Sequence, residues 1–198
     1  GEGTAMMEII HDLAPDAELY FATAFNGQAS FVSNIVALRQ AGCDIIVDDV
    51  RYLSEPPFED GIIARAVEQV VADGALYFAS AGNAGNRNDG TSGVWEGDFK
   101  DGGSFRLLSG GSVHDFGDGD ISIEATASST ALTLFWSDQF GKSANDYDLF
   151  ILNSSLTAVL RASTDVQNGD DDPFEIISGS SAILSDTDRI VILRKSGA

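Results

Sequence analysis

The stretch Ala75-Leu76-Tyr77-Phe78-Ala79-Ser80-Ala81-Gly82-Asn83-Ala84-Gly85-Asn86 decides how the first half of this chain is read. An apolar run empties into small residues, a glycine and an amide. Such a run, bounded by turn residues, reads as a buried strand, and Gly-Asn is the chemistry of the turn that closes it. In open parallel sheets, ligands bind beyond the carboxyl ends of the strands. Asn83 is therefore either a plain turn residue or an amide held where a ligand arrives. The segments upstream decide between them.

Working outward, Ala5, Met6, Ile9, Ile10 and Leu13 recur at helical spacing until Ala14-Pro15 stops them. Residues 18–25 read as a buried strand. A helix follows over 29–41, with Phe31, Val32, Ile35, Val36 and Leu38 as its apolar stripe. A second strand spans 44–50, a third helix 58–73 ends at Gly74, and the third strand is 75–81. This αβαβαβ order predicts an α/β fold with a parallel sheet. Three strands and three helices make a partial doubly wound sheet whose opening helix has no strand feeding it. The expectation is a piece of a longer protein.

Residues 86–111 are rich in glycine and aspartate and read as a long surface loop. Beyond them the period changes to short strands over 121–125, 131–136, 148–152, 158–160, 174–177 and 189–193, separated by turn residues. No helical pattern interrupts them, which predicts an all-β sandwich. The boundaries are 1–110 for the α/β part with its loop and 111–198 for the β module.

Composition narrows the function classes. Asp and Glu number 31 against 11 Lys and Arg, a formal charge of −20. Nucleic acid and anionic membrane surfaces would repel such a chain. The charge suits a protein that must stay soluble outside the cell or in salt, and no run reaches the ~20 apolar residues of a membrane span. The single cysteine, Cys43, cannot form an internal disulfide.

Two motifs frame the first helix: Gly1-Glu2-Gly3-Thr4-Ala5-Met6 opens it and His11-Asp12-Leu13-Ala14-Pro15 closes it. Together with the Ala81-Gly82-Asn83 strand end, this frame resembles the subtilisin-like serine peptidases and the related sedolisins over roughly residues 1–86. In subtilases a helix opening His-Gly-Thr carries the general base, and an Ala-Gly-Asn strand end supplies the oxyanion-hole amide. The resemblance places Glu2 at the base position and Asn83 at the oxyanion position. Sedolisins also have glutamate at the base, with an aspartate one helical turn later. Here that residue is Met6, and Asn83 stands where sedolisins have aspartate. The chain mixes features of both groups.

A carboxylate can serve as base when burial or a nearby acid raises its pKa. Asp48 and Asp49 end the second strand on the rim that carries Asn83. Strand alternation sends them to opposite faces, and Asp49 is taken as the cleft residue that assists Glu2. The plain alternative for Glu2 is an acid stabilising a helix N-terminus, worth under ~1 kcal/mol. His11 suits the opposite helix end, and His114 has no partner spacing for a metal. Gly90-Thr91-Ser92 imitates the family's nucleophile motif, but no long apolar helix with a following proline comes after it. The resemblance thus implies a secreted or cell-surface serine endopeptidase acting on a peptide or protein substrate through an acyl-enzyme. Its nucleophile and first aspartate lie outside this chain. The competing reading is a non-catalytic pseudopeptidase that binds peptide or glycan.

The β module resembles small sandwich domains found in or after secreted bacterial peptidases, through Asn145-Asp146-Tyr147-Asp148-Leu149-Phe150. No cofactor is implied. Calcium held by Asp146, Asp148 and the Asp170-Asp171-Asp172 run stands as an open alternative to simple solvation of acidic loops.

Overall fold

The computed structural model describes residues 1–197; Ala198, the last residue of the expected β module, lies outside the described residues. The fold is mixed α/β: a two-stranded parallel sheet with three helices, then mostly antiparallel β sheets. Two compact units divide the chain. The first comprises Gly1–Glu55 and Asp60–Ala84, the second Pro56–Glu59 and Gly85–Ala198. Residues 85–110, grouped with the α/β part on sequence, thus belong to the second unit.

In the first unit, α1 (Glu2–Leu13), α2 (Gln28–Gln40) and α3 (Ile62–Ala72) accompany the parallel pair β1 (Ile45–Asp48) and β2 (Leu76–Ala79). Phe31 and Ile35 on α2, and Ile63, Ala66 and Val70 on α3, follow helical spacing and close over Ile46 and Ala75. The opposite sheet face carries Ile45, Val47, Leu76 and Phe78, all exposed.

α2 and α3 stop by the same device. Gly42 and Gly74 adopt φ of +103° and +97°, a region in which a Cβ is strained. Gly74 N–H bonds the Val71 carbonyl and Ala75 N–H the Val70 carbonyl, and Gly42 and Cys43 repeat the pattern on Arg39 and Leu38. This is the Schellman stop, and each copy turns the chain directly into a strand. Arg39 spans both turns, donating from Nε to Asp73 Oδ2 at 2.9 Å and from Nη1 to the Cys43 carbonyl at 3.2 Å.

The strand expected over 18–25 is not formed, so the sheet has two strands instead of three. The segment is drawn into other contacts. Asn34 Nδ2 donates to the Thr23 carbonyl at 2.7 Å, and the Tyr52 hydroxyl donates to that of Ala24. The Phe21 ring lies against α1, where a Cβ at Gly3 would come within 2.5 Å of it. With two carbonyls taken by side chains and an aromatic ring drawn to the helix, the segment makes no ladder with β1.

The second unit contains β3 (Ser112–Val113), β4 (Ile123–Glu124), β5 (Ala131–Phe135), β6 (Asp146–Leu152), β7 (Val159–Ser163), β8 (Phe174–Ser178) and β9 (Arg189–Ser196). Five form one antiparallel sheet in the order β3-β9-β6-β7, with β4 also paired to β9; β5 and β8 form a second. Alternation along β6 builds two cores. Tyr147, Leu149 and Ile151 pack with Ile177, Ile183 and Leu184, and with Leu132 and Leu134 of β5. Phe150 and Leu152 pack with Val113, Val191, Leu193 and Leu108. All seven residues of β6 are buried.

Candidate functional site

The first unit carries an open cavity of about 1070 Å³ among α1, the 17–25 segment, α2 and β1. Glu2 and Asp49 both line it, as does Asp48; Asn83 does not. Two of the three expected site residues therefore share one cavity, and the third stands apart from it.

Glu2 occupies the first turn of α1 and is exposed, in a helix whose N-cap, Gly1, offers no side-chain bond. Its charge suits the helix N-terminus. Asp49 is exposed immediately after β1. Asp48, the last residue of β1, is half-buried and held: its Oδ2 accepts the Tyr77 hydroxyl at 2.5 Å and its Oδ1 the Val50 N–H at 3.3 Å. Burial, then that bond to Asp48, pushes the Tyr77 hydroxyl far above its usual range. Both neighbouring carboxylates reach the cavity, where alternation had favoured one.

Asn83 is exposed four residues past the end of β2, after Gly82 at φ +71°. β1 and β2 run parallel with Asp48 opposite Ala79, so Asp49 and Asn83 both belong to the rim at the strands' carboxyl ends. One further group emerges from the structure. Glu55 is held above the usual carboxylate range, first by burial and then by the negative charge of Asp48. No periodicity points to it, because Ser54-Glu55-Pro56 is irregular chain.

Ser92 of the Gly90-Thr91-Ser92 run lies in the second unit, where its Oγ accepts the Val94 N–H at 3.2 Å and no helix follows. His11 sits exposed in the last turn of α1. His114 is buried at 2% exposure among Trp95, Phe99 and Phe116, with ring centroids 5.0, 5.3 and 4.5 Å away. Its Nδ1 accepts the Lys100 N–H at 3.0 Å, which leaves Nε2 to carry the proton with no partner among the described residues.

For calcium, no group of three or more His, Cys, Asp or Glu side chains among the described residues is placed to hold a metal ion. Asp171 and Asp172 instead accept backbone N–H groups of Asn168 and Gly141 at 3.1 and 2.9 Å. No helix among the described residues is long and apolar enough to cross a membrane. Comparison of the chain with protein-family models, with curated proteins and with solved structures found no match in any of the three.

Proposed function

We propose that the first unit is part of the catalytic fold of a subtilisin- or sedolisin-like serine endopeptidase that acts outside the cell or at its surface on peptide or protein substrates. The observation that carries this reading is the convergence of Glu2 and Asp49, from separate elements, on one cavity. In this reading Glu2 takes the proton of a serine supplied from outside these residues, and Asp49 lines the same cavity. Asn83, exposed at the strand-end rim, donates its amide to the oxyanion of the tetrahedral intermediate. The parallel pair is then part of a doubly wound sheet. The second unit is a β-sandwich, its two sheets sharing the core built on Tyr147, Leu149 and Ile151.

One observation favours the non-catalytic alternative, a pseudopeptidase that binds peptide or glycan. Asn83 is not among the residues lining the cavity that holds Glu2 and Asp49.

Serine-directed phosphonate labelling and peptide turnover by the full-length protein separate the two. The enzyme reading expects labelling that is lost in Glu2→Gln, and turnover about 10²–10³-fold lower in Asn83→Ala. Unlabelled protein, or unchanged turnover in both variants, rejects it.

A further inference from the structure

The Asp-rich start of β6 carries a feature that the peptidase reading does not use. Asp146 and Asp148 lie on one face of the strand and are 8% and 5% exposed. Neither accepts a hydrogen bond nor forms an ion pair among the described residues, and Asp146 Oδ1 is buried with no partner there. Both line a pocket of about 370 Å³ on the second unit. Lys195 lines the same pocket, where its Nζ donates to the Ser109 carbonyl at 3.0 Å and forms no ion pair with either carboxylate among the described residues. A carboxylate oxygen buried without a donor, as Asp146 Oδ1 is, is costly, and a ligand that brings donors and positive charge to the pair relieves that cost.

The pocket selects among cations. Calcium takes six to eight oxygens, and no third carboxylate, histidine or cysteine among the described residues joins the pair. Lys195 in the lining adds a positive charge that opposes a dication more than a monocation. An alkylammonium needs less: one charge, three N–H donors and a wall for its stem. Leu107, Phe150 and Val166 supply that wall, and Thr164 adds a hydroxyl. We propose that this pocket binds the ammonium group of a lysine side chain presented by a peptide or protein, with Asp146 and Asp148 as its acceptors. The inference does not depend on the peptidase reading, since every residue in it belongs to the second unit.

The test is a titration of the full-length protein at pH 7.5, followed through backbone amide shifts of Ser109, Asp148, Thr164 and Lys195. The probes are Nα-acetyl-lysine methylamide, its Nε-acetylated counterpart, alanine amide and calcium chloride. Saturable shifts are expected with the lysine probe. Affinity should be about tenfold or more weaker for the Nε-acetylated form, which has lost the charge, and for alanine amide, which has lost the stem. Asp148→Asn should weaken the lysine probe to a similar extent. Equal shifts from the acetylated probe, or no saturation by the lysine probe, overturn the proposal. Saturation by calcium alone assigns the pocket to a metal, and equal binding of alanine amide assigns it to chain N-termini; either result also overturns it. The probe comparison uses the unaltered protein, so its outcome does not depend on any variant folding.

Discussion

Asp148→Asn should make the second unit more stable at neutral pH, although it removes a charged residue from an acidic motif. Burial raises the Asp148 carboxyl from 3.8 to about 6, with Lys195 lowering it and Asp146 raising it further. These are the charged groups that face it; Ser109 and Thr164 are the other polar residues in the pocket lining. A shift of this size, at about 1.4 kcal/mol per unit, corresponds to about 3 kcal/mol of penalty on the ionised form in the folded state. The sign follows from proton binding. Between pH 3.8 and about 6 the folded protein holds this proton while the unfolded chain releases it. Asp148 therefore leaves stability intact below 3.8 and lowers it progressively as pH rises through about 6. Asparagine keeps the shape without the charge, so the variant should gain up to about 3 kcal/mol at pH 8 and almost nothing at pH 4. Both tryptophans, Trp95 and Trp136, lie in the second unit, so urea unfolding followed by tryptophan emission reports on that unit. A variant less stable than the parent at pH 8, or with the parent's full fall in stability between pH 4 and 6, would refute the reasoning.

Ile151→Ala, at a position with no exposure, should cost about 2–5 kcal/mol, read as a lower urea midpoint in the same assay. Gly74→Ala places a Cβ at φ +97° and should destabilise the first unit by about 1–2 kcal/mol, measured by hydrogen exchange of the amides of α3 and β2. His114 is held below 6.5 by burial, which outweighs the opposing charge of Asp115. Below pH 6.5 the unfolded chain takes up a proton that the folded one refuses, so its contribution to stability declines on acidification, opposite in sign to that of Asp148. An imidazole titration by NMR with a midpoint above 6.5 would contradict this.

Much of the first unit was legible because local and tertiary signals agree there. Phe31 and Ile35, and Ile63, Ala66 and Val70, bury the faces that their spacing implies, and Gly74 stops α3 where its backbone freedom is needed. Residues 18–25 misled because their apolar run suits a strand, while Asn34, Tyr52 and Gly3 lie far away in sequence and supply the contacts that hold the segment otherwise. In the second unit the strands were readable, but β3 is two residues long and carries no periodic signal. Pairing order was not legible either, since β9 meets β3, β4 and β6 through contacts distant in sequence. Of the candidate site, Glu2 and Asn83 were read from motif order and Asp49 from its place at the end of a strand. That Glu2 and Asp49 line one cavity while Asn83 does not is a three-dimensional fact that no spacing encodes, and the proton affinity of Glu55 depends on burial and on Asp48.

The position of β9 in the sheet has a consequence for synthesis. This strand, the last in chain order, pairs with three others and contributes Ile192 to one core and Val191 and Leu193 to the other. Its partner β6 is made some forty residues earlier, at the order of 5–20 residues per second on the ribosome. Until β9 emerges, β6 has one unpaired edge, and Phe150 and Leu152 lack their Val191 and Leu193 partners. The second unit therefore folds late and through distant contacts, a topology associated with slow folding, and its nascent form offers a binding target to chaperones for several seconds.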